Sequence, residues 1–138
     1  MEGFNVIAVY DNNCEKLLMC KRRKEPYKGL LNLVGGKIQP NEEGLDAAYR
    51  ELEEETGISS NDITLTHLMD FAYYIHNCYL EVYVGRLNKE FKVYGDENEL
   101  LWTHLDENFF EVTKYAGEGN IGHIIEHVKM SRDILLRK

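Results

Sequence analysis

The stretch GKIQPNEEGLDAAYRELEEETGI, residues 36–58, decides the fold and holds the densest acid in the chain. Asn41 to Thr56 is predicted as a helix, ended by Gly57, because glycine readily takes the left-handed conformation just past a helix. At about 100° per residue, with Glu51 as zero, Glu54 falls near about 300° and Glu55 near about 40°. Leu52, Leu45, Thr56 and Tyr49 gather between about 100° and about 160°. One side is therefore expected to be apolar, with a separate side carrying Glu51, Glu54 and Glu55. Glu43, Asp46 and Glu53 fall on the solvated remainder. Carboxylates three and four residues apart repel by a few tenths of a kcal/mol per pair, and no Lys or Arg at i+4 is expected to relieve them. Three such oxygens can instead hold a hard divalent cation, Mg²⁺ or Mn²⁺, with waters and phosphates completing its shell.

Outward from this helix, the charge balance is uneven. Seven acids and one base, Arg50, lie between Glu42 and Glu55, so this window carries −6 of the formal net charge of −8. An acidic chain is a poor partner for a nucleic-acid polymer or an anionic membrane, both of which select basic surfaces. The 138 residues, 43% hydrophobic and 29% charged, fit one domain spanning 1–138. Cys14, Cys20 and Cys78 are odd in number and show no C-x-x-C spacing, which argues for reduced thiols. No apolar run approaches a membrane span, and no basic region precedes an apolar stretch at the N-terminus. The expected compartment is the cytoplasm, and the expected assembly is a monomer or homodimer.

Strands are predicted at Phe4–Tyr10, Lys16–Cys20, Leu30–Val34, Ile63–Tyr74, Tyr79–Leu87 and Glu99–Leu105, from apolar runs, alternation and turn signals such as Asp11-Asn12-Asn13. An amphipathic helix is predicted over Ile121–Leu136. The order β-β-β-α-β-β-β-α implies an α/β fold, a mixed sheet between helices.

Gly36, Glu42, Arg50-Glu51-Leu52, Glu54-Glu55 and Gly57-Ile58 match the fixed positions of the Nudix hydrolase signature, G-x5-E-x7-R-E-U-x-E-E-x-G-U, over residues 36–58. The strand order outside this box also resembles that family's α/β/α sandwich. The resemblance implies metal-assisted attack of water on a nucleoside diphosphate linked to another moiety. Carried over by position, Glu51, Glu54, Glu55 and the Gly35 carbonyl would hold the metal, and Glu42 and Arg50 would orient the site. The catalytic set implied is Glu54, Glu97 and Arg50: the base of the family lies in the box or in a later loop, where Glu97 corresponds and Glu99 is the neighbouring alternative.

Leu17–Glu42 further resembles the mammalian MutT-like enzymes that sanitise oxidised purine nucleoside triphosphates, sharing Gly29, Asn32, Gly35-Gly36-Lys37 and Glu42. That resemblance implies purine contact by Asn32 and phosphate proximity for Arg22. It places Tyr115 where those enzymes carry a base-stacking Trp, and Gly117-Glu118 where they carry two acids. The implied reaction is hydrolysis of a purine nucleoside triphosphate, oxidised or not, to monophosphate and pyrophosphate. From the residues alone, Asn32 also reads as a strand-end group satisfying backbone, and Tyr115 as core packing. Alternatives are hydrolysis of ADP-ribose, a nucleotide sugar or a dinucleoside polyphosphate, or a non-catalytic nucleotide-binding module. His123-Ile-Ile-Glu126-His127 fits a zinc-peptidase pattern, but 11 residues after His127 leave little room for a third ligand.

Overall fold

The computed structural model describes residues 1–137 except Tyr94, Asp96 and Glu97. Strand β1 (Glu2–Tyr10) is buried along both faces towards its end, as the run Val6–Tyr10 demands. It pairs in parallel with β5 (Cys78–Arg86) over nine residues, from Glu2 opposite Cys78 to Tyr10 opposite Arg86. Strand β4 (Thr66–Tyr73) forms an antiparallel hairpin with β5. On the other side, β2 (Lys16–Lys21) lies antiparallel to β1 and to β6 (Glu99–His104), and the two-residue β3 (Leu31–Asn32) pairs with its end. The sheet is mixed, as expected, and the parallel β1–β5 pair is its centre.

Helix α1 (Gly44–Thr56) covers one face, where Ala48, Leu52 and Ile58 meet Ile7, Val9, Leu18, Val34 and Tyr83. Helix α2 (Asn120–Met130) covers the other, where Ile121, Ile124, Ile125 and Val128 meet Ala8, Tyr10, Leu17, Met19, Val82 and Val84. Alternation along β1 separates the two cores: Ile7 and Val9 face α1, and Ala8 and Tyr10 face α2. No helix among the described residues is long and apolar enough to cross a membrane.

Most strand ends differ by a residue or two from the sequence reading, the strand expected over Leu30–Val34 contracts to Leu31–Asn32, and three further differences stand out. Helix α1 begins at Gly44 rather than Asn41, because Asn41 takes φ 67° and Glu43 is extended. Glu42 therefore stays in the loop, where its carboxylate accepts the Gln39 N–H at 3.0 Å. The C-terminal helix breaks at Ser131, whose N–H tightens the last turn onto the Val128 carbonyl, and a short α3 (Arg132–Leu135) follows. The strand expected from Ile63 starts at Thr66, while Ile63 makes an isolated bridge to Leu87. The C-terminus of α1 is as predicted: Gly57 adopts φ 84° and returns its N–H to the Glu53 carbonyl.

Leu52 is fully buried at the centre of the α1 contact. Leu52→Ala should lower unfolding free energy by about 2–5 kcal/mol, read as a lower urea midpoint with an unchanged slope. A loss under about 1 kcal/mol would place the α1 core elsewhere.

Candidate active site

The acids of α1 are graded rather than gathered on a separate face. Helix phase sets Glu51 and Glu55 between the buried Ala47 on one side and Ala48 and Leu52 on the other, with Glu54 just outside that arc. Glu55 is half-buried, the Glu51 side chain is 19% exposed and that of Glu54 is 61% exposed. Leu45, expected on the apolar side, is instead exposed, while its neighbour Gly44 is the residue that packs against Glu81 and Tyr83 of β5.

The expectation that no cation relieves these carboxylates is also corrected. Arg50 reaches all of them but Glu55. Its Nε and Nη2 donate to the two oxygens of Glu42 at 2.6 and 2.9 Å, a bidentate fork. Its Nη1 donates to Glu51 at 3.0 Å and Glu54 at 3.1 Å, and Nη2 also reaches the Lys37 carbonyl at 3.0 Å. Such a planar, five-donor group matches carboxylate geometry in a way a lysine does not. The fork holds the Glu42 carboxyl below the usual range and the Arg50 guanidinium above its own.

Glu55 has a different partner. Its carboxylate accepts the Gly35 N–H at 3.0 Å. Burial pushes its pKa up, partly offset by that hydrogen bond. The buried Cys20 thiol beside it is pushed up to about 12, first by burial and then by the Glu55 charge. The Gly35-Gly36 turn is fixed from below by Asn5, whose Oδ1 accepts the Gly36 N–H at 3.0 Å and whose N–H donates to the Gly36 carbonyl at 2.8 Å. At Gly35 and Gly36 a side chain has no room: a Cβ would collide with the Asn5 carbonyl and the Glu51 carboxylate respectively. Asn5 is a residue the sequence reading missed; its signal is a polar side chain inside the apolar strand Phe4–Val9.

This donor set fits a hard cation. Glu51 and Glu55 offer carboxylate oxygens, the glycines let them approach the turn, and Glu54 stands at the open side. The three carboxylates do not converge, and Arg50 holds two of them. A cation taken up here must draw Glu51 and Glu54 away from the guanidinium.

The expected substrate residues are placed less uniformly. Arg22 lies at the β2 end, with its Nε on the Pro26 carbonyl at 3.3 Å. Asn32 spends its Oδ1 on the Leu33 N–H at 2.8 Å, the strand-end role open to it from the sequence. Tyr115 is a correction: it is 1% exposed and packs against Phe109 in the α2 core, so it presents no ring face to a base. Glu118 is exposed at φ 51° and accepts the Tyr27 hydroxyl on both oxygens, at 2.9 and 2.8 Å. That contact and burial push the Tyr27 phenol up to about 12. Nearby, Asn120 donates to the Tyr73 hydroxyl. Tyr27, Tyr73 and Asn120 were not anticipated, because their elements meet only in the fold. Glu97 lies outside the described residues, and Glu99 is exposed on β6 opposite Lys21. His123 and His127 do sit together on α2, ring centroids 4.5 Å apart, but no described residue joins them in a three-ligand group.

Against known proteins, the model of the NUDIX domain matches residues 1–123. The 8-oxo-dGDP phosphatase NUDT18 of Mus musculus is 33% identical over 60 residues, which cover 44% of this chain and 19% of that protein. An ADP-ribose pyrophosphatase of Methanocaldococcus jannaschii is 42% identical over 43 residues, 31% of this chain and 25% of that protein. The aligned stretch thus spans a quarter or less of each relative. Among solved structures, a C. elegans Ap4A hydrolase superposes with a TM-score of 0.76 at 16% identity, covering 96% of this chain and 98% of that one. At that identity the likeness speaks for the fold.

The half-buried Glu55 carries a pH signature in chelator-treated protein. Its folded pKa lies above the ordinary glutamate value of 4.5, so the protonated form is the one folding favours. Its contribution is greatest below that unfolded value and is lost as pH rises through the raised folded one. Glu55→Gln keeps an acceptor for the Gly35 N–H and removes the charge. The variant should melt higher than wild type at neutral pH in EDTA and show a flatter pH dependence above about pH 4.5. An identical pH profile would remove burial as the cause of the shift.

Proposed function

The chain belongs to the NUDIX domain family, and from that premise we propose that it is a metal-dependent pyrophosphohydrolase acting on a nucleoside diphosphate-linked substrate. The observation that carries this reading is the pair of cation-seeking carboxylates, Glu51 and Glu54, held ready by Arg50 beside the Gly35-anchored Glu55. A divalent ion bound by Glu51, Glu54, Glu55 and the Gly35 carbonyl would supply positive charge for a polyphosphate and acidify a water.

The chain's own groups divide the remaining work. Water oxygen forms a bond to phosphorus as the bridging P–O bond breaks, and the pyrophosphate leaves with the electron pair. Glu54, the most exposed of the three carboxylates, takes the water's proton. Arg50 keeps its fork on Glu42 and so holds the α1 turn in register while Glu51 and Glu54 change partners. The basic run Lys21–Lys24, with Arg22 half-buried in it, offers charge for the distal phosphates.

For the substrate, a purine nucleoside triphosphate suits this site best, giving monophosphate and pyrophosphate. Support comes from the polar groups Asn32, Glu118, Tyr27, Tyr73 and Asn120 at the base end, which suit the donors and acceptors of a purine edge. Tyr115 takes no part in stacking, and Tyr27 and Tyr73 are the half-buried aromatics of this group. The relative named an ADP-ribose pyrophosphatase favours a second reading in which a diphosphate ester is cleaved.

Activity with Mg²⁺ or Mn²⁺ should disappear in EDTA and return on adding metal. Glu54→Gln should lower kcat by at least about 10²-fold at unchanged thermal stability. A panel of canonical and oxidised purine triphosphates, ADP-ribose, nucleotide sugars and dinucleoside polyphosphates separates the two readings. A tenfold preference in kcat/KM for ADP-ribose would replace the triphosphate reading, and ligand binding without turnover would replace hydrolysis by a sensor role.

A further inference from the structure

Asn5 is the polar exception in the apolar run Phe4–Val9, and alternation along β1 puts its side chain on the α1 face with Ile7 and Val9. It is 2% exposed, and its Nδ2 has no hydrogen-bond partner among the described residues. A buried, unpaired amide N–H opposes folding. An aliphatic residue at this position would extend the core without that cost, so packing does not account for an asparagine here. The oxygen end of the same amide is engaged, accepting the Gly36 N–H at 3.0 Å.

Residues 34–38 run antiparallel to β1, with bridges at Ile7–Val34 and Phe4–Lys37 that set Asn5 opposite Gly36. The Asn5 N–H keeps its place in this ladder and donates to the Gly36 carbonyl at 2.8 Å. A regular pair would return the Gly36 N–H to the Asn5 main-chain carbonyl, but here the side-chain oxygen takes it. The main-chain carbonyl instead lies against Gly35, which has φ 153° and leaves no room for a Cβ. The Gly35–Gly36 peptide is therefore held by a side chain rather than by the ladder. Because this peptide is trans, its carbonyl points opposite to its N–H. The Gly35 carbonyl thus points away from Asn5. Glu55 accepts the Gly35 N–H at 3.0 Å on one side of this peptide, and the Glu51 carboxylate abuts Gly36 on the other.

We infer that Asn5 is a positioning residue for the cation site: its Oδ1 fixes the Gly35–Gly36 peptide with the Gly35 carbonyl turned to the side where Glu51 and Glu55 stand. This role rests on the reading of those carboxylates as cation ligands. A small hard cation demands oxygens close to ideal geometry, and a carbonyl already aimed meets that demand without reorienting. With glycine on both sides, the peptide has few steric limits of its own. Asn5 supplies the missing restraint from behind, as groups outside the ligand shell do for metal ligands.

The test is Mn²⁺ binding to the chelator-stripped full chain, read from the electron paramagnetic resonance of free Mn²⁺, beside ¹H–¹⁵N spectra of the metal-free protein. Asn5→Leu should leave the spectra intact away from residues 34–38 and β1, move the Gly36 amide proton upfield and weaken Mn²⁺ binding by at least about tenfold. Asn5→Ala removes the same oxygen without adding bulk and should weaken binding equally. Asn5→Asp keeps the shape and the acceptor, and should restore both the Gly36 signal and the affinity. A merely structural role would lower the melting temperature of Asn5→Leu and leave the affinity of its folded form unchanged. Glu51→Gln separates the role of Asn5 from the reading beneath it. If Mn²⁺ is lost in Glu51→Gln but binds Asn5→Leu and Asn5→Ala as tightly as wild type, the cation site stands and the positioning role is overturned. If wild type and Glu51→Gln bind Mn²⁺ alike, the cation reading fails and takes the role of Asn5 with it. Affinity restored by Asn5→Asp without the Gly36 signal would trace the effect to charge and also overturn the role.

Discussion

The Arg50 guanidinium is the interaction on which the site depends. Helix α1 and the loop before it present acids that would repel one another, and a single residue with five donors bridges Glu42, Glu51, Glu54 and the Lys37 carbonyl. Glu42 is thereby held in the loop before α1, which fixes where the helix can begin. The Gly35-Gly36 turn meets the same helix from the sheet side, through Asn5 beneath it and Glu55 beside it. Loop, turn and helix are thus bound by charge-assisted hydrogen bonds at one end, and by Leu52 and Ala48 packing on Ile7 and Val9 at the other.

Much of this was legible in the sequence because it is local. The spacing of Gly36, Glu42, Arg50, Glu51, Glu54, Glu55 and Gly57 lies within one turn-helix unit, so pattern and structure coincide. The helix stop at Gly57 follows from the residue's conformational freedom, and the structure shows it in the left-handed region. Helical phase alone misjudged Leu45, which is exposed in the first turn while Gly44 beside it meets β5. What sequence could not reveal came from distant pairings. The parallel β1–β5 contact brings Asn5 opposite Glu81, and the β4 bulge turns His67 and Asp70 to one face. Tyr115 shows the limit of carrying roles by position: its place in the chain matches a stacking residue, but its ring is enclosed with Phe109.

The two carboxylate groups on the α1 face are managed differently. Around α1, the Arg50 guanidinium bridges the acids. Around His67, the imidazole meets Asp70 and the Tyr83 hydroxyl serves Glu81. The sheet joins them through Asn5, one of whose amide atoms is engaged at Gly36 while the other is unpartnered in the row beside Glu81.

The central claim is that the α1 carboxylates exchange Arg50 for a divalent cation. Anomalous scattering from crystals of the protein soaked in Mn²⁺ tests it most directly. The account predicts a peak in contact with Glu51 and Glu55 at the Gly35 turn, with Glu51 withdrawn from the guanidinium and the Arg50–Glu42 fork retained. Crystals saturated with Mn²⁺ that show no peak there, and Arg50 still bridging Glu51 and Glu54, would contradict it.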